Sequence, residues 1–211
     1  MKTALNIVFA IIIVVLAYLL VESIMKPIRF NKEKDIREAA IKERLIDIRT
    51  AQEAFKSVKS RYTGSFDTLI TFLKTDSLPL VFKRGSLTDE MIAEGITSER
   101  EAVKKGLISR DTSYIAVRDS VFHKNYPIDQ LRYVPGLEKT EFQMAAGTVM
   151  TTSMVLVNVF EAYVLNDVFL ADLDRQLVVN YNDQRTKITG FPGMKVGDIR
   201  VPNNNAGNWE D

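Results

Sequence analysis

The stretch "AIIIVVLAYLLVESIMKPIRF", residues 10–30, carries no charge from Ala10 to Val21 and then meets Glu22, Lys26, Pro27 and Arg29 in quick succession. The uncharged run begins at Thr3, and its one strongly polar member is Asn6. As a helix, residues 3–21 rise roughly 28 Å at about 1.5 Å per residue, close to the ~30 Å of a bilayer's hydrocarbon core. Leu, Ile, Val and Phe each favour insertion by about 0.3–0.6 kcal/mol at mid-bilayer, and Asn6 sits near the end of the run, where a polar group costs least. A cleaved signal peptide needs small residues in an A-x-A-like site, and the flank "VESIMKPI" supplies none. A lipoprotein signal needs a cysteine, which the chain lacks. Residues 1–25 are therefore expected to stay as a transmembrane anchor, with residues 3–21 in contact with lipid. No second span is expected, because even "MVLVNVFEAYV", residues 154–164, is interrupted by Asn158 and Glu161.

Beyond the anchor, "NKEKDIREAAIKERLIDIRTAQEAFKSVKSRY", residues 31–62, contains neither Gly nor Pro, and Asn31 is a good N-cap just past Pro27. This predicts a long helix starting at Asn31. Ile41, Leu45, Ile48, Ala51, Phe55, Val58 and Tyr62 recur at steps of three and four, which makes one apolar stripe. Glu33 with Arg37 and Glu38 with Lys42 form acid-before-base pairs on the polar side. Residues 26–62 thus read as a stalk whose stripe, from Ile41 on, packs within its own chain; a coiled coil would need several sustained heptads.

The remaining residues, 63–211, read as an α+β head. "TGSFDTL", residues 63–69, is expected to end the helix at Gly64 and to start a short one from Ser65 or Asp67, burying Leu69, Ile70, Phe72 and Leu73. "LPLVFKRG", residues 78–85, is a short apolar run closed by Gly85. "SLTDEMIAEGITSEREAVKKG", residues 86–106, reads as two helical turns capped by Thr88 and Thr97 and closed by Gly95 and Gly106. "SYIAVRDSVF", residues 113–122, alternates as a strand, with Tyr114, Ala116 and Arg118 on one face and Ile115, Val117 and Asp119 on the other. "QLRYV" runs into a Pro135-Gly136 turn, and "EFQMAAGT" with "MVLVNVFEAYV" has the β-branched and aromatic content of an antiparallel meander. "DVFLADLDRQLVVNYNDQ", residues 167–184, reads as helical in its middle. The fold class is α+β: an N-terminal transmembrane helix, a long amphipathic helix and an antiparallel β-sheet head.

Composition narrows the chemistry. With 28 Lys and Arg against 27 Asp and Glu in 211 residues, and 9% aromatic content, the chain shows no basic stripe of the kind nucleic acid requires. Zero cysteines rule out thiolate catalysis, Cys-ligated metal and disulfides. His123 is the single histidine, in "FHKNY", with no nucleophile motif to complete a triad, and is expected to be exposed and non-catalytic. Glycines stand singly, so no phosphate-cradling loop and no nucleotide site are expected. Asp167, Asp172 and Asp174 are candidate Ca²⁺ oxygens or a carboxylate pair, although residues two apart on a helix point away from each other. Asn203, Asn204, Asn205, Glu210 and Asp211 are hard oxygen donors in a tail without EF-hand spacing, which is expected to be solvated. No residue is assigned a catalytic, cofactor-binding or metal-ligating role, and no cofactor is expected.

"RLIDIRTAQEAFKSVKSRYTGSFDTLITFL", residues 44–73, following a membrane helix and preceding an antiparallel sheet, resembles the type IV pilin and pseudopilin family. The resemblance covers about thirty residues and implies a structural or assembly subunit of the bacterial cell envelope, with its N-terminus inside and its head in the periplasm. It also implies a C-terminal calcium loop of the kind some pseudopilins carry, for which the Asn-rich tail is the matching region. The chain departs from the family's pattern in having no Gly before the anchor and in placing Glu22 at the anchor's far end rather than at the fifth position of a mature chain. "KVGDIRVPNNNAGNWED", residues 195–211, is also similar to the tail of single-pass envelope proteins of Gram-negative bacteria.

The expected function is a single-pass, membrane-anchored, pseudopilin-like subunit of the bacterial inner membrane that acts through contacts with other envelope proteins or with itself. The alternatives are a membrane-tethered enzyme using carboxylates, marked by two carboxyl groups at catalytic separation in a cleft, and a domain that binds a small ligand in an apolar pocket. Two arguments on orientation oppose each other. Lys26, Arg29, Lys32, Lys34 and Arg37 follow the anchor and only Lys2 precedes it, which by charge count favours a cytoplasmic head. The short Lys-bearing start and the pilin-like resemblance favour a periplasmic one, and that is the expectation.

Overall fold

The computed structural model describes residues 2–84, 86, 88, 91–92, 96, 98–106, 109–123 and 125–210. The fold is α+β. It is led by one helix, α1, Lys2–Lys59, that contains Pro27 in its interior. There is no restart at Asn31. A proline lacks an N–H and so removes one backbone hydrogen bond, but it does not have to end a helix when helix formers flank it and buried contacts hold the segment that follows, from Phe30 on.

The predicted stripe is the buried side of α1: Ile41, Leu45, Ile48 and Ala51 are fully buried, Phe55 nearly so and Val58 half-buried, while Tyr62, also buried, lies past the end of the helix. The helix ends five residues before Gly64. Ser60 takes a left-handed φ of 56°, and its N–H donates to the Lys56 carbonyl, closing the last turn.

The chain forms two compact units, Met1–Arg49 with Leu131–Asp211, and Thr50–Gln130. In the second, α2, Phe66–Thr75, starts at the Ser65 cap, whose hydroxyl accepts from the Thr68 N–H. It buries Phe66, Leu69, Ile70, Phe72 and Leu73, with Phe72 edge-on to Phe55 at 5.0 Å between ring centres. Gln52, fully buried, grips the connecting loop from both sides: its amide nitrogen donates to the Thr63 carbonyl at 2.6 Å and its oxygen accepts from the Thr63 N–H at 3.1 Å.

Strands β1, Ser77–Arg84, and β2, Ser109–Ala116, pair antiparallel from Ser77↔Ala116 to Arg84↔Ser109. Between them lies α3, Glu99–Lys104, capped by Ser98, with Ala102 buried against Ile96. Of the two expected caps, Thr88 accepts from the Met91 N–H, while Thr97 and Gly95 lie outside the described residues, as does Gly85. The strand expected over 113–122 stops at Ala116. Val117–Val121 turns helical as α4, with Val117 buried and its N–H bonded to the Asp76 carbonyl.

The first unit contains the three-stranded antiparallel sheet in the order β3-β4-β5: Gln143–Met150, Leu156–Leu165 and Gly193–Gly197. The expected Pro135-Gly136 turn precedes it, with Gly136 at φ 79°. In β4, Phe160, Ala162 and Val164 are buried on one face, the period of two that places alternate residues in a core. Helices α5, Asn166–Phe169, and α6, Arg175–Thr189, lie between β4 and β5 in the chain. Gly197 is required where it stands, because its φ is 70° and an added Cβ would run into the Phe160 carbonyl oxygen.

The C-terminal segment expected to be solvated is so only in part: residues 201–204 are exposed, while residues 206–208 pair to β5. Val196 bridges Gly207, the Gly197 N–H donates to the Ala206 carbonyl at 3.0 Å, and the Asn208 N–H donates to the Lys195 carbonyl at 2.9 Å.

Candidate functional site

The longest exposed apolar surface among the described residues is the start of α1. From Phe9 to Val21 every residue is exposed, and the helix holds an 18-residue window of mean hydropathy 2.3 with none of it buried. Ile13 is 65% exposed and Val14 68%, which a soluble core helix would not show. Among the described residues this is the single helix long and apolar enough to cross a membrane. Ile24 and Ile28 remain exposed beyond it, and from Phe9 onward the first buried side chain is Phe30.

From Phe30 onward a collar of polar and aromatic contacts ties α1 to its unit. The Phe30 ring meets Tyr181 edge-on at 6.4 Å, and Lys34 Nζ lies 4.6 Å from the centre of the same ring. The Tyr181 hydroxyl donates to Glu38. Burial, reinforced by that acceptor, pushes the Tyr181 phenol well above its ordinary range.

Arg37 sits one turn further on. Its guanidinium donates to Asp172 through two nitrogens at 2.5 and 2.8 Å, to the Phe169 carbonyl at 2.7 Å and to Glu33 at 3.0 Å. The fork geometry of arginine suits such a set of acceptors. Hydrogen bonding to Arg37 holds the Asp172 carboxyl below the usual carboxylate range, and the same contact raises the guanidinium. Near the other end of the collar, Arg49 pairs with Glu210 at 2.9 Å while Lys42 lies over the Trp209 ring at 5.9 Å. Burial works to raise Glu210, and Arg49 with the Gly207 N–H outweighs it, so its carboxyl is lowered.

Each singled-out residue has a structural task here. Asp172 pairs with Arg37, Asp174 caps α6 by accepting from the Gln176 and Leu177 N–H groups, and Asp167 accepts from Asn182. The three aspartates are therefore spread over separate partners. In the tail, Asn204 and Asn205 take left-handed φ values of 56° and 60°, the Asn203 amide donates to the Ala206 carbonyl, and Glu210 is committed to Arg49. Asp211 lies outside the described residues. Among the described residues no three His, Asp or Glu side chains converge to hold a metal ion. His123 is exposed, with its ring edge-on to Tyr126 at 5.6 Å.

Two grooves remain. One, of about 410 Å³, is lined by Ile36, Ala40, Leu137 and Val168, with Arg37 and Asp172 among its polar walls. A general acid needs a raised carboxyl, and Asp172 is pushed the other way, which suits an ion pair and not proton donation. The other, of about 600 Å³, lies in the second unit between Phe55, Lys59, Thr71 and Asp76, where Lys59 and Asp76 are themselves paired at 2.7 Å.

The collar was not legible in the sequence: Arg37 and Asp172 are 135 residues apart, and the i,i+4 rule pointed Arg37 only at Glu33. The chain matches no protein-family model, no curated protein and no solved structure.

Proposed function

We propose that this chain is a single-pass membrane-anchored structural or assembly subunit of the bacterial cell envelope, pseudopilin-like in plan, which works through protein contacts made by its folded part. The observation that carries the reading is the division of labour along α1: an apolar segment with none of its spanning window buried passes, without a break in the helix, into a segment whose stripe is core. A helix that only filled a core would be buried along its length, whereas this one is exposed from Phe9 to Val21 and held from Phe30 onward by Phe30, Arg37 and Arg49. The polar side chains found near the stalk cap helices or close ion pairs, as a scaffold requires. The departure from the prepilin processing pattern means that the likeness concerns architecture, with the anchor retained whole.

In this reading the membrane is the bacterial inner membrane, residues 3–21 contact lipid, and the folded part lies in the periplasm. Fusion of alkaline phosphatase or of green fluorescent protein after Asp211 tests the placement. The expected result is phosphatase activity without fluorescence; fluorescence without phosphatase activity would put the folded part in the cytoplasm and overturn the pseudopilin-like arrangement. Recovery of the chain in the soluble fraction would remove the anchor itself.

A further inference from the structure

The two edges of the three-stranded sheet are treated differently. On the β5 side, residues 206–208 close the edge through the Gly197-to-Ala206 and Asn208-to-Lys195 backbone bonds. On the β3 side, residues 132–134 cover only the approach to the strand: the Phe142 N–H donates to the Arg132 carbonyl and the Val134 N–H to the Thr140 carbonyl. Beyond that, no strand of the described residues lies outside β3.

Natural edge strands are blunted by charges, prolines or bulges. This one has none of the three. From Phe142 to Phe160 the sequence contains no Asp, Glu, Lys, Arg or Pro. The β3–β4 register runs from Gln143↔Tyr163 to Met150↔Leu156 without a slip, so no bulge twists the edge away. Ala145, Ala146, Gly147 and Thr148 are small, and Gly147, Thr148 and Met150 are exposed. At the end of the β3–β4 hairpin, Met150 is 62%, Met154 83%, Val155 56% and Leu156 67% exposed, a concentration of apolar surface that marks an interaction site.

We propose that β3 is a self-pairing edge, through which two copies of this chain join antiparallel along residues 145–150 to make one continuous sheet. A second copy fits better than an unrelated strand for three reasons. Like charges close to the two-fold axis of an antiparallel homopair would repel, and this edge carries none. The antiparallel arrangement also sets Met150 of each copy opposite Ala145 of the other. Finally, the β5 edge is already closed, so addition stops at two copies and yields a two-fold dimer and not a growing sheet. The inference names the self-association partner of the proposed function but rests on strand geometry alone, so it can fail while the anchor reading stands.

The test uses the full chain in detergent or in nanodiscs, with protein mass per particle read by light scattering and thermal unfolding followed in parallel. The native chain is expected to give two copies per particle. Thr148→Lys alone and Thr148→Glu alone should each halve the protein mass while leaving the unfolding temperature of the protomer unchanged, and a mixture of the two variants should recover two copies. If the exposed-edge variant at Thr148 fails to fold, Met150→Lys serves in its place. A native chain that is one copy per particle, a Thr148→Lys variant that stays at two, or a mixture of opposite charges that stays at one would each overturn the proposal.

Discussion

At the scale of single residues, the most informative side chains are those that hold distant segments on α1. Asp172 is the clearest case. Its carboxyl is lowered by hydrogen bonding to Arg37, so the stabilisation it supplies is present above the unfolded carboxylate value of about 3.9 and is lost as pH falls through the folded one. With the Asp172 side chain 63% exposed, solvent screens the pair, and Asp172→Asn should cost only about 0.5–1 kcal/mol at pH 7. The native and variant stabilities should converge as pH falls below the lowered folded value of Asp172, as measured by denaturant unfolding across a pH series. Ser60 offers the opposite sign. A non-glycine residue at φ 56° is strained, so Ser60→Gly should stabilise the protein by about 0.5–1 kcal/mol, a rise of roughly 1–4 °C in unfolding temperature. The sequence pointed to Gly64 as the helix stop because glycine is the usual left-handed residue. The local bond from the Ser60 N–H to the Lys56 carbonyl shows that the chain turned earlier, on a residue with no compositional signal.

At the scale of elements, periodicity was the reliable signal. Ile41, Leu45, Ile48, Ala51 and Phe55 were readable as one face because a 3.6-residue repeat survives any tertiary detail, and these are the positions the structure buries. Phe55→Asp should therefore unfold the second unit, at a cost above about 4 kcal/mol, while Glu43→Asp on the exposed side should change stability by no more than about 0.5 kcal/mol. Circular dichroism melts of the two variants check this; equal melting temperatures would place the stripe outside the folded core. Boundaries were less legible. The strand read over 113–122 runs only to Ala116, and its residues 113–116 are all exposed; burying Val117 and bonding its N–H to the Asp76 carbonyl favours a helical turn over another strand residue. The C-terminal residues looked solvated by composition. Residues 201–204 are exposed, but residues 206–208 are fixed by backbone pairing to β5, a long-range contact that carries no periodic trace, and Asn204 and Asn205, which suggested cation ligands, take left-handed turns.

At the scale of the whole molecule, the apolar segment and the folded part should separate cleanly. A fragment starting at Arg29, which keeps the buried Phe30, should remain in solution without detergent, and the full chain should stay with membranes after a high-salt wash. Association of the fragment with membranes would require a second hydrophobic attachment. The absence of a break at Pro27 has a mechanical consequence. With α1 continuous from Lys2 to Lys59, the anchor and Phe30 share one angular phase, and the anchor cannot swivel freely under the body. Each alanine inserted between Val21 and Lys26 should turn the lipid-facing sector by about 100° relative to the collar while lengthening the helix by only about 1.5 Å. If the envelope contacts depend on that phase, insertion of two alanines should abolish a functional or cross-linking readout in the membrane, whereas seven, which return the sector to within about 20° despite adding roughly 10 Å, should restore it. A readout that declines steadily with inserted length would make the stalk a spacer, and one that oscillates with a helical period would make it a torsion rod.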